Sequence, residues 1–93
     1  MLLSLACQRC VTFPHLERTI KRTAKEMQHL PGGTFSRERD CLQALLFALR
    51  DHYPSVFGKF QRLKSCRELL AGPVTGKIIK LRRIALAGLS RCL

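Results

Sequence analysis

The sequence predicts a small all-α helical bundle, and three observations support that fold class. Apolar residues recur three and four apart over long stretches, and glycine and proline punctuate the gaps between them. No pair of alternating runs is joined by a two-residue hairpin turn. At 93 residues the chain makes a single domain, 1–93, because domains typically run to about 100–200 residues. An apolar fraction of 46% is too high for a disordered basic tail. So short a chain buries only about 60–65% of its unfolded surface, which invites completion of the core by a partner or a second copy.

The opening stretch, roughly 2–12, is apolar and contains Cys7 and Cys10. It reads as a short helix or, with Phe13, as an irregular or targeting lead-in over 1–13. Glu17 is its only nearby acid, which fits a mitochondrial presequence in part. A helix over 14–30 follows. Pro14 suits a first turn, and Leu16, Ile20, Ala24, Met27 and Leu30 form one apolar stripe. Glu17 precedes Lys21 by four, the favourable order for a helix ion pair. Pro31-Gly32-Gly33 ends this element.

The next helix is expected over 36–53, with Ser36 as N-cap and Glu38 and Asp40 against the helix dipole. Cys41, Leu42, Leu45, Leu46, Leu49 and Tyr53 face inward, and the run through Leu49 is apolar enough to sit at the centre of the core. Pro54 breaks the pattern and Ser55 can cap a third helix over 55–71. Its inward side is Val56, Phe57, Phe60, Leu63, Cys66 or Arg67, and Leu70, and Gly72-Pro73 stops it. Thr75 then caps a last helix over 76–91, with Ile78, Leu81, Ile84, Ala85, Leu89 and Cys92 on the apolar side. About four helices result.

Charge is the feature that bears most on function. Seventeen Lys and Arg oppose six Asp and Glu, for a formal +11. The last acid is Glu68, so Lys77, Lys80, Arg82, Arg83 and Arg91 follow with no carboxylate near them in sequence. A self-repelling surface persists when something anionic meets it: nucleic acid, an acidic membrane or an acidic protein.

The cations also fall in rows. Arg18, Lys21, Arg22 and Lys25 lie three or four apart, away from the Leu16–Met27 stripe, and Lys77, Lys80 and Arg83 continue at threes on the last helix. Lys59, Arg62, Lys64 and Arg67 decorate the third. A helical row of cations can neutralise several phosphates at once and release their counterions. The residues expected to contact phosphate are Arg18, Lys21, Arg22, Lys25, Lys77, Lys80, Arg82 and Arg83, positioning the polymer without reading its bases. Aromatic residues are 6% of the chain and mostly fall at core positions. That favours the backbone of a duplex or structured RNA over stacked single-strand bases.

Catalysis is disfavoured by inventory. His15, His29 and His52 show no spacing that sets them beside a nucleophile, and the carboxylates read as helix-surface partners. Cys7-x-x-Cys10, with His15 nearby, is half of a zinc site, but no second close pair completes it. No cofactor is implied. Gly72-Pro73-Val74-Thr75-Gly76-Lys77 has three residues between its glycines where a phosphate-binding loop needs four. Five cysteines, an odd number, point to reduced thiols inside the cell. No apolar run reaches the ~18 residues of a membrane span.

The expected function is therefore an accessory or regulatory nucleic-acid binder of a kind also found in viruses. RNA is slightly preferred over DNA, in nucleus, cytoplasm or mitochondrion. The alternative is an assembly module docking on an acidic protein. Ile79, Leu86 and Leu93 widen the apolar arc of the last helix and favour it. A peripheral membrane binder acylated at Cys7 or Cys10 is a third class.

Overall fold

The run Cys41–Leu49 is too apolar to leave a face in water, and the fold encloses it completely. In the computed structural model, which describes residues 13–28 and 36–92, every residue from Cys41 to Leu49 is buried. This run is the middle of α2 (Ser36–His52). Around it lie α1 (Phe13–Gln28), α3 (Pro54–Phe57), α4 (Lys64–Ala71) and α5 (Gly76–Cys92). No strand occurs among the described residues. The architecture is the small all-helical bundle the periodicity predicts.

The most extensive packing is between α2 and α5, while α3 and α4 cover other flanks of α2. Helix α1 packs on both α2 and α4 through Leu16, Ile20 and Ala24. The main core joins those residues to Leu42, Leu45, Leu46, Leu49, Phe60, Cys66, Leu69, Ala85 and Leu89. A smaller cluster of Ala44, Phe47 and Ile78 extends it toward the start of α5. Each fully buried Leu, Ile or Phe contributes about 1.5–3 kcal/mol relative to exposure, which makes these side chains the main support of so small a domain.

Several local expectations hold. Glu17 and Lys21 pair at 3.6 Å. Thr75 Oγ1 accepts from the Ile78 amide at 3.4 Å, capping α5 as its position implies. Helix α4 stops at Ala71, with Gly72 extended at φ −75°, ψ 168°. That conformation is the one a residue before proline is driven into, so Pro73 sets the stop without any left-handed glycine.

The third expected helix is not one helix. Residues 55–71 divide into the single turn of α3, a stretch of tight turns, and α4. Through this stretch the amides of Lys59, Phe60 and Leu63 donate to Val56, Phe57 and Phe60 carbonyls, three residues back. Ser55 does not cap it, because Tyr53 holds the N-cap position of α3 and makes no side-chain cap bond. Arg67 is exposed and Leu69 takes the inward position. On α5, Ile84 is 48% exposed instead of buried. Two steps of three residues turn a helix by about 600°, which carries Ile84 about 120° from Ile78, whereas Ala85 returns to within about 20° of it. The expected element over 2–12, the ends of the 14–30 helix beyond Gln28, and the side chains of Ser36 and Cys92 lie outside the described residues.

Polar groups inside the bundle are mostly satisfied. Gln43 is 6% exposed, and its Nε2 donates to the Leu69 carbonyl at 2.6 Å and to that of Pro73 at 3.4 Å. Buried Thr19 donates to the His15 carbonyl at 2.9 Å. The Ser65 hydroxyl is buried with no hydrogen-bond partner among the described residues.

Candidate nucleic-acid interface

A helix that buries Leu16, Ile20 and Ala24 turns the opposite side to water, and on α1 that side is cationic. Arg18, Lys21, Arg22 and Lys25 are all exposed. At about 100° per residue they fall within an arc of about 100°, so they form one ridge. Lys21 shares its charge with Glu17. Arg18, Arg22 and Lys25 have no carboxylate partner among the described residues. From residue 18 to residue 25 the ridge is about 10 Å long at 1.5 Å per residue. One strand of a duplex presents about three phosphates over that length.

The α5 candidates behave differently from one another. Lys77 reaches back to Asp40 at the start of α2, 3.1 Å away, and Arg82 pairs with Asp51 near the end of α2. Asp51 also meets Arg50 at 3.4 Å. These two cations therefore clamp α5 to α2 at two levels. Lys80 and Arg83 are exposed and, among the described residues, have no such partner. Helices α1 and α5 both pack on α2 but make no extensive contact with each other. The fold thus carries the basic candidates on two helices that each pack on α2.

The third row is partly engaged as well. Lys59 stands over the Phe13 ring at 4.3 Å from its centroid, tying the turn after α3 to α1, and Lys64 pairs with Glu68 at 4.0 Å. Sequence reasoning passed over Arg37 and Arg39, both exposed in the first turn of α2. Arg39 lines a cavity of about 150 Å³ with Asp40, Gln43, Gly72, Pro73, Thr75 and Ile78. Their i, i+2 spacing gave no helical row, which is why they stood outside the pattern. At this helix start the Lys77 ammonium faces Asp40 of α2, so a carboxylate stands beside the one cation of the Gly72–Lys77 segment.

None of the described aromatics is exposed. Phe47 and Phe60 are buried, while Phe13, Tyr53 and Phe57 are half-buried. The chain matches no protein-family model, no curated protein and no solved structure. Cys7 and Cys10 lie outside the described residues, and among those described no three His, Cys, Asp or Glu side chains converge to hold a metal ion. His15 sits in the first turn of α1 and is half-buried. No helix among the described residues is long and apolar enough to cross a membrane. Cys41 and Cys66 are buried in the core and joined in no disulfide, and burial pushes the Cys66 pKa up to about 11, which keeps it protonated and unreactive at neutral pH.

Proposed function

We propose that the protein binds nucleic acid through the phosphate backbone, with the α1 ridge as its principal contact. The observation that carries this reading is the set Arg18, Arg22 and Lys25, exposed on one face with no carboxylate partner among the described residues. Lys21 extends the ridge. Of the α5 candidates, Lys77 and Arg82 act chiefly within the fold, and the exposed Lys80 and Arg83 stand on a different helix from this ridge.

Structured or duplex RNA is the preferred ligand. Double-stranded RNA is recognised largely by shape and through phosphate and 2′-OH contacts, which suits a cationic surface with no exposed aromatic among the described residues. Stacking on single-stranded bases would need such aromatics. The role is accessory or regulatory and non-catalytic, inside the cell, wherever the polymer is found.

The test is fluorescence polarisation with labelled duplex RNA, duplex DNA and single strands, each across a salt series. Duplex RNA should bind most tightly, with log affinity falling linearly against log salt. Negligible binding of all three at about 100 mM salt, where the Debye length is about 10 Å, overturns the reading.

A further inference from the structure

The α1 ridge leaves a second surface unexplained. Val74, Ile79 and Ile84 are the large apolar side chains exposed among the described residues, at 51%, 47% and 48%. All three belong to α5 or to the turn leading into it. At about 100° per residue Ile79 and Ile84 stand about 140° apart around the helix, and Lys80, Arg83 and Ala87 lie in the arc between them. The outer face of α5 is therefore a cationic ridge with an aliphatic edge on either side. No carboxylate occurs anywhere in residues 69–93.

That order discriminates among partners. A helix lying in a membrane interface puts its apolar residues innermost and its cations at the rim. Here Lys80 and Arg83 would be driven deepest. A phosphate backbone would accept the cations but set charged oxygens against both isoleucines. A second copy packed face to face would oppose Lys80 and Arg83 with themselves, on a molecule already at +11. A protein groove with carboxylates along its floor and aliphatic walls satisfies both features, since each edge is buried as the ridge is neutralised.

We infer that the outer face of α5 docks into such a groove, formed between two helices of an acidic protein partner. Val74, Ile79 and Ile84 fill its walls and Lys80 and Arg83 pair with its floor. This surface is separate from the α1 ridge, so the protein can hold a nucleic acid and a protein partner at once.

The probe is a designed helical hairpin displaying Glu along the groove between its helices and Leu on both lips. Its affinity for the full chain is read by polarisation at 150 mM salt (a probe condition at which the Debye length is about 8 Å). Micromolar binding is expected. It should weaken about tenfold or more in Ile79→Ser/Ile84→Ser and in Lys80→Glu/Arg83→Glu, and stay unchanged in Arg18→Ala/Arg22→Ala/Lys25→Ala. Because the isoleucines are already exposed, these variants should fold, which circular dichroism checks. Absence of binding overturns the inference, as does binding that ignores the isoleucine changes. So does isoleucine-dependent binding to 3:1 phosphatidylcholine:phosphatidylglycerol vesicles, or an isoleucine-dependent dimer in light scattering, in place of hairpin binding. Loss of RNA binding in the α1 variant with hairpin binding intact would leave the inference standing on its own.

Discussion

Gln43 donates from Nε2 to the carbonyl oxygen of Leu69 at 2.6 Å, joining the centre of α2 to the last turn of α4. The same nitrogen reaches the Pro73 carbonyl at 3.4 Å. One buried amide thus adds a second donor to a last-turn carbonyl that the Gly72 amide also reaches at 3.1 Å, and holds the Pro73 carbonyl just beyond the helix. Replacing Gln43 by Leu keeps much of the volume but strips the donor. A stability loss of about 1–3 kcal/mol is expected, read as a drop in denaturant midpoint at unchanged slope. A variant as stable as the parent would show that these carbonyls find other donors.

Charge removal should separate stability from binding. Arg82 and Asp51 are only partly buried, at 38% and 32% side-chain exposure, so their pair is worth at most about 1 kcal/mol after solvent screening. Arg82→Ala should therefore cost less than about 1 kcal/mol and leave RNA affinity nearly unchanged, because that cation is already occupied. Loss of affinity comparable to that of an α1 variant would place Arg82 on the ligand.

The opposite pattern is expected on α1. Arg18→Ala/Arg22→Ala/Lys25→Ala touches no ion pair among the described residues and should leave the melting temperature almost unaltered. Its salt dependence should flatten by about one unit of slope per phosphate contact removed, about three in all. The loss should be similar for unrelated sequences of the same duplex form. A slope equal to the parent's would move the contact elsewhere.

Periodicity carried the reading of this fold a long way, and its failures have physical causes. The stripe Leu16–Ile20–Ala24 and the enclosed run Cys41–Leu49 were legible because burial follows directly from apolar content and helical spacing. The break between α3 and α4 was hidden because turns closed by bonds three residues back also bring every third residue to one side. Phe57, Phe60 and Leu63 consequently point inward without a continuous helix. The α1 ridge could be drawn from the sequence alone. The pairing of Lys77 with Asp40 and Arg82 with Asp51 could not, since each joins residues more than thirty positions apart whose meeting depends on how α5 lies on α2. The Ser65 hydroxyl likewise shows no sequence signal: a serine near a helix start usually faces water or caps, and this one is buried.

That serine gives a direct test of the core. Ser65→Ala removes a buried hydroxyl that has no partner among the described residues. Stability should rise by about 0.5–1 kcal/mol, since the group is desolvated without compensation. A destabilised variant would reveal a hydrogen bond to residues outside those described.

Alkaline pH should weaken the fold through Cys66. Its pKa rises from 9.0 to about 11 because burial disfavours the thiolate. Below pH 9 the thiol is protonated in both states and its contribution is complete. Between 9 and 11 the unfolded chain ionises while the folded one does not, so stability falls by about 1.4 kcal/mol per pH unit. Comparing denaturant midpoints at pH 8 and pH 10.5 for the parent and Cys66→Ala isolates the effect. The variant is less stable at both values but should show a shallower decline, and parallel declines would exclude Cys66 as the cause.

The enclosure of Cys41–Leu49 on every side has a consequence for how the molecule exchanges its amide hydrogens with solvent. Peripheral segments such as the single turn of α3 can open by themselves and relabel quickly. The middle of α2 has no free flank through which to open, because each neighbouring helix rests on it. Its amides should therefore all exchange at one slow rate, set by global unfolding. Those nine consecutive amides would then serve as an internal gauge, reporting the full folding free energy of the domain under native conditions and without denaturant.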